Sequence, residues 1–348
     1  MKQPRCFLFA LLGVTLLMAA CGGSSSPQDQ KKGSSGKTLE LMIAADSKVY
    51  SGSTLELIDS LFQQPQLGLT QPEPMFSIVQ IPISSFRSTE MFQVHRNIVI
   101  CDINPQNPDK LYRYEDFWAA PQIVYEFAAK DRASLEKMLR KYSDAIIDDI
   151  YKNEHRRMYK VFKGTEGIEI REAIRKQLGL TLTFSNEFEV AHPANPSSDF
   201  MWIRKETKDF GLGVLVRVLP YTSRDIFTEE VILDTLAAQM HRHVPGSADT
   251  SYMNVERRMP FYTRKVEFEG SPYCVETRGC WRTEGDFMGG PFVNYTVLSP
   301  DNKQVVMLTG YIYYPSGRIK SLSKRDLLMQ AEGICYSLRF PTSADTPQ

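Results

Sequence analysis

The sequence is short of the features that would name a reaction outright. CxxC is missing, so the cysteines do not form a metal set, and GxSxG is missing, which removes the usual setting for a serine nucleophile. An excess of one charge is missing too, since 41 basic and 41 acidic side chains balance. Without a net field there is no electrostatic reason to expect a nucleic-acid partner. Long apolar runs are also lacking. The most apolar stretch, residues 7–20, is too short to span a bilayer comfortably as a helix.

That stretch has a different use. Lys2 and Arg5 precede it, and Ala19 and Ala20 close it just before Cys21. Charged region, apolar region, then small residues is the order of a secretory signal. A cysteine directly after the small residues resembles a bacterial lipobox, with Met18 where leucine is commonest. The resemblance implies cleavage after residue 20 and lipid modification of Cys21, with palmitate or similar acyl chains as the membrane partner. Residues 22–37, GGSSSPQDQKKGSSGK, contain no apolar residue and cannot bury enough surface to fold. They read as a flexible tether. The absence of Asp after Cys21 points to the outer membrane, and the absence of an acid-rich export signal points to its periplasmic face.

Removing residues 1–20 takes Lys2 and Arg5 from the balance and leaves two more acidic than basic side chains. The expected organisation is a signal peptide at 1–20 and a lipidated cysteine with tether at 21–37. An N-terminal half at 38–162 and a C-terminal half at 163–341 follow. Four further cysteines, Cys101, Cys274, Cys280 and Cys335, enter an oxidising compartment. Cys274 and Cys280 flank a turn-like Thr277-Arg278-Gly279 and could lie opposite each other as a disulfide. Four cysteines allow three full pairings, and spacing does not choose among them.

Along the body, strands are expected at 38–45, 76–83, 97–103 and 122–128, with a helix at 53–62 capped by Ser53 or Thr54. Residues 133–161 carry Leu135, Met138, Leu139, Tyr142, Ile146 and Ile150 at helical spacing. Within this helix 152–157, KNEHRR, reads as a solvated face. A second helix at 168–178 stops at Gly179. Strands follow near 180–184, 188–191, 201–205 and 213–219, then a helix at 228–241. Strands at 263–268, 273–277, 292–298 and 304–313 come next, and a helix at 323–338 closes the chain. The fold class is therefore α+β, in two similar halves, each a mainly antiparallel sheet with packed helices. Antiparallel pairing is expected because the strands lack regular intervening helices.

The stretch 279–292, GCWRTEGDFMGGPF, gathers glycines, charges and an aromatic residue. Arg278 and Arg282 could bind a carboxylate or phosphate, Trp281 could stack on a sugar, and Asp286 and Glu284 could act as acid and base. Turn chemistry joining two strands, with the charges paired to one another, accounts for the same residues. No GK[ST] or GxGxxG accompanies these glycines, so no nucleotide cofactor is indicated. His241 and His243 stand two apart where a helix ends, a poor spacing for metal, so no metal site is expected. His95, Arg96 and Asp102 flank the strand at 97–103 as loop and turn residues.

Five features together resemble one family: the lipobox and tether, QPEPMFSIVQ (71–80), HRNIVICDI (95–103), the segment 116–124, and above all GDFMGGPF (285–292). The chain is similar over nearly its whole mature length to uncharacterised Bacteroidetes lipoproteins catalogued as a domain of unknown function. That family carries no activity to transfer. The expected function is a periplasm-facing envelope lipoprotein that binds an envelope protein or glycan, without a cofactor. The alternative is a hydrolase of an envelope or glycan substrate centred on Asp286 and Glu284.

Overall fold

The computed structural model describes residues 31–193, 195–315, 319 and 322–341. The signal peptide, Cys21 and residues 22–30 of the expected tether lie outside the described residues. The described residues from Lys32 onward belong to one compact unit. Among the described residues, no helix is long and apolar enough to cross a membrane.

The chain opens with β1 (Lys32–Gly33), β2 (Glu40–Ala45), α1 (Ser53–Phe62) and β3 (Ser77–Pro82). Two short helices, α2 (Ile83–Ser88) and α3 (Glu90–Gln93), lead to β4 (Asn97–Ile103), β5 (Lys110–Glu115), β6 (Ala119–Ala120) and β7 (Ile123–Ala129). A five-stranded sheet has the order β3-β2-β4-β7-β5. β2 runs parallel to β3 and β4, and β4 runs parallel to β7; the edge strand β5 is antiparallel to β7. The mainly antiparallel pairing expected for this half is thus corrected. Helices do intervene, α1 between β2 and β3 and α2 with α3 between β3 and β4, so parallel neighbours become reachable. The strands are correspondingly apolar on both faces. Leu41, Ile43, Val99 and Phe127 pack under α1 and α4, while Met42, Ala44, Ile98 and Ile100 pack under Ile83 and Phe86 of α2.

Part of the expected tether is not free. Lys32 and Gly33 pair in parallel with Ala119 and Ala120, and Ser35 N–H donates to Val94 O at 2.8 Å. Backbone pairing fastens this segment even though it offers no apolar side chain.

The helix α4 (Arg132–Gly164) has 33 residues, and Asp131 caps it by accepting from Ser134 N–H at 2.7 Å. At ~1.5 Å per residue it runs ~50 Å. Its first half packs on the five-stranded sheet and its second half crosses to later elements. These are α5 (Ile168–Leu178), β8 (Glu189–Val190), β9 (Phe200–Glu206), β10 (Gly211–Pro220), α6 (Glu229–His243), β11 (Tyr252–Val255) and β12 (Tyr262–Val266). They continue as β13 (Cys274–Glu284), β14 (Gly289–Leu298), β15 (Gln304–Tyr313) and α7 (Lys324–Cys335). Their sheet is antiparallel throughout, in the order β11-β13-β14-β15-β10-β9-β8, with β12 also paired to β13. Core from α5 and α7 covers one face, and core from α6 covers the other.

The class is mixed α+β, as expected, while the two sheets differ in strand number and in sense. The strand expected at 180–184 is absent; Thr181 makes a single bridge to Arg339 instead. α4 and α7 meet closely at Gly333, where an added Cβ would lie 2.3 Å from Met158 Cβ. Only glycine permits that approach.

Candidate functional site

The stretch 279–292 is a β-hairpin. β13 and β14 pair from Cys274↔Val297 to Arg282↔Gly289, and residues 285–288 turn between them. Alternation along β13 divides the expected site residues. Trp281 is buried on the α6 side, its Nε1–H donating to Ile312 O at 3.1 Å and its ring 5.5 Å from Tyr311. Arg278 is buried on the opposite side. Arg282 is bonded to Glu284 at 2.5 Å and approaches Glu256 at 3.6 Å. Glu284 also accepts from Asn254 at 3.1 Å. Asp286 is exposed at the tip, where Ser247 hydroxyl and Phe287 N–H donate to it. The Ser247 hydrogen bond leads in holding the Asp286 carboxyl below the usual range. Phe287 beside it is fully exposed. Arg282 and Glu284 pair with each other, while Trp281 faces the opposite side of the strand and Asp286 lies beyond its end at the tip, so the five do not converge on one site.

The expected Cys274–Cys280 disulfide is corrected: both thiols are free and buried, as are Cys101 and Cys335. Residues 274 and 280 lie on one continuous strand, not across a turn, so their Cα atoms stand ~20 Å apart, far beyond disulfide reach. His243 stacks on Phe200 with ring centres 4.1 Å apart, whereas His241 lies against Tyr252 at 3.9 Å. His95 bonds Glu40 at 2.8 Å, and Asp102 pairs with Arg87 at 3.1 Å.

The concave surface lies elsewhere, along the seam between α4 and the edge strand β12. A 710 Å³ cleft is lined by Lys152, His155 and Tyr159 from α4, by Lys265 and Tyr273 opposite, and by Tyr336 and Arg339. It adjoins a 470 Å³ cleft through Lys152, His155 and Lys265, and then a 400 Å³ cleft at Asp148, Tyr151 and Arg264. The other edge of β12 pairs with no strand among the described residues.

Beneath this seam lies a buried ionic network. Arg278 donates to Glu276 from Nε and Nη2, both at 3.0 Å, and to Glu332 from Nη1 at 2.9 Å. Arg264 adds a bond to Glu276 at 2.9 Å. Tyr295 hydroxyl sits between the carboxylates, 3.0 Å from Glu276 and 3.2 Å from Glu332. Burial alone would raise both carboxyl pKa values, but Arg278 with Arg264 reverses this at Glu276, and Arg278 with His155 does so at Glu332, holding both below the ordinary range. Both are therefore ionised at neutral pH. His155 Nε2 lies 3.3 Å from Glu332 Oε2, and its ring stacks on Tyr336 at 4.0 Å. Since an ionised carboxylate only accepts, Nε2 carries a proton. His155 Nδ1 is buried and has no hydrogen-bond partner among the described residues.

The network corrects the solvated reading of 152–157. Asn153, Glu154 and His155 are buried, with Glu154 bonded to Arg96 and Asn97, each at 2.8 Å. The signal was available: the spacing that marks Ile146 and Ile150 continues to residues 153 and 154. Likewise Glu276 and Arg278 alternate on one strand face, and Glu332 interrupts an apolar helix stripe.

Residues 34–163 match the family model for one domain of unknown function, DUF8532, and residues 167–337 match that for another, DUF4837. The junction between the matched regions falls just after α4. No curated protein matches the chain.

Proposed function

We propose that this chain is a lipid-tethered binding module of the cell envelope, facing the periplasm from the outer membrane. Its ligand, an envelope protein or glycan, occupies the seam between α4 and β12. The tether rests on the charged, apolar and small-residue order ahead of Cys21, and the binding role rests on the seam.

One contrast carries the reading: the seam has a rigid floor and an exchangeable rim. On the floor, Arg278, Glu276 and Glu332 satisfy one another out of water, and such networks are costly to break. At the rim, Lys152–Glu267 and Arg339–Glu269 are exposed pairs at 2.8 and 2.9 Å. Exposed pairs are worth ~0–1 kcal/mol, so a ligand can displace them at little cost. Tyr273, with Lys265 Nζ 5.2 Å from its ring, supplies an aromatic surface on which a ligand can pack, while Tyr336 is held between His155 and Phe268 and shows the groove its edge.

The hydrolase alternative asks for a carboxylic acid that stays protonated near neutral pH. Glu276 and Glu332 shift the other way, as does Asp286 at the hairpin tip. The test is to incubate the purified chain with a fraction of envelope glycans and peptides and weigh the components by mass spectrometry. Retention of intact components on the protein supports a binding module. Shortened products without retention would establish the hydrolase instead.

A further inference from the structure

The 710 Å³ cleft does not end at the α4–β12 seam. Tyr159 and Arg339 also line a second cleft of 900 Å³, which runs between the end of α4, α5 and the backbone after α7. The two are one groove joined at these residues. The first part carries Lys152, Arg156 and Lys265; the second carries Lys163, Arg171, Arg175 and Lys176; Arg339 belongs to both. Four acids face them, Glu267 and Glu269 in the first part and Glu166 and Glu172 in the second. Basic residues thus outnumber acidic ones two to one in a groove of a chain whose totals are 41 and 41. Arg156 also pairs with Asp116 at 2.9 Å and Arg171 with Glu172 at 3.3 Å, so the excess lies with the remaining lysines and with carboxylates that serve two cations. Glu166 Oε2 alone receives Lys163 at 2.7 Å and Arg171 at 2.9 Å. A concave surface lined this way focuses a positive field.

Aromatic rings accompany the cations. Tyr159 is 36% exposed at the junction, Tyr336 lies on one side and Phe340 on the other. In the second cleft the backbone of Thr181, Thr183 and Arg339 is already engaged. The walls there are α4, α5 and two extended segments, in which Thr181 and Arg339 exchange backbone hydrogen bonds at 3.0 and 2.8 Å and Thr183 N–H donates to Ser337 hydroxyl at 2.8 Å. Recognition there falls to charged side chains and ring faces, the groups that hold anionic sugars.

Resting on the binding-module reading above, we infer that this groove takes an anionic saccharide chain. Sugar rings stack at Tyr159, and their carboxylate or phosphate groups meet the basic residues on either side.

The experiment titrates the full purified chain in detergent with a galacturonic acid hexasaccharide and with neutral maltohexaose, by calorimetry at two salt concentrations. The expected result is binding of the acidic hexasaccharide only, weakened by salt. The doubly substituted Lys163→Glu, Lys176→Glu variant, altered at surface positions, loses about tenfold or more in affinity, the range for two charge-assisted contacts. Tyr159→Ala loses affinity with the salt dependence kept. The inference is overturned if maltohexaose binds as well, if the double variant binds unchanged, or if a polyglutamate peptide competes equally. Neutral-sugar binding abolished by Tyr273→Ala would overturn the anionic inference while leaving the seam as a ligand site. Shortening of the hexasaccharide during titration would overturn the binding-module reading itself.

Discussion

Arg278 shows how a residue's role depends on what the fold brings beside it. Its neighbours in sequence, Trp281, Arg282 and Glu284, made it look like part of a surface site. Its partner Glu332 lies 54 residues away on α7, and together with Glu276 it draws the guanidinium out of water. The alternation of Glu276 and Arg278 was legible; the third member was not, because a buried acid on a helix does not name its partner. Glu332→Gln removes one charge and leaves Arg278 a single carboxylate partner beside Tyr295. We expect a loss of ~3–5 kcal/mol at pH 7, as for other broken buried pairs, read by urea denaturation. The pH dependence has a definite sign. Glu332 is held down at about 2 in the folded chain against an ordinary 4.5, after Arg278 and His155 outweigh burial. Its contribution is therefore complete above the ordinary value and fades as pH falls from about 4.5 towards 2. The wild type should lose stability through that window, and the variant should show a shallower loss. Equal slopes would remove Glu332 from the account.

Among the elements, helices and long strands were the legible part. α1, α5, β4 and β15 fall at the expected boundaries because their periodicity is strong and their ends are marked by glycine, proline or capping residues. Pairing sense was not legible. α2, ISSFRS, is too short to show a helical stripe, and overlooking it removed part of the crossover that makes β4 parallel to β2. β13 was read as ending at Thr277, since Arg278-Gly279 resembles a turn, yet it continues to Glu284. The glycines of the β13–β14 hairpin serve packing between strands more than chemistry. An added Cβ at Gly290 would stand 2.1 Å from Ile312 O. Gly290→Ala should therefore destabilise the sheet by ~1–3 kcal/mol, the usual cost of overpacking, seen as a lower Tm. At Gly164, the end of α4, an added Cβ meets nothing within 4 Å. Gly164→Ala should leave Tm unchanged or raise it, by up to ~1 kcal/mol of stability. If both substitutions act alike, the close approach of β14 to β15 is not what the hairpin glycine provides.

At the scale of the whole molecule, an export signal and a lipid-bearing Cys21 are what the order of residues 1–21 leads us to propose, while the cleft was not legible in the sequence. Its walls come from α4, β12 and the chain after α7, which are remote in sequence, and no local motif marks their meeting. The tether belongs to the same scale. Replacing Cys21 with serine should move the chain from the membrane fraction to the soluble envelope fraction, and persistence in the membrane would contradict lipid anchoring. The seam is where a neutral chain concentrates aromatic rings and exchangeable charges above a rigid ionic floor. The most direct measurement is amide hydrogen exchange on the full chain with and without the envelope fraction that it retains. The account predicts slowed exchange at 152–159 of α4 and at 262–273, reaching 163–176 and 337–340 where the groove continues, with the hairpin turn at 285–288 unchanged. Protection of 281–288 with an unaltered seam would contradict it and return the site to the hairpin.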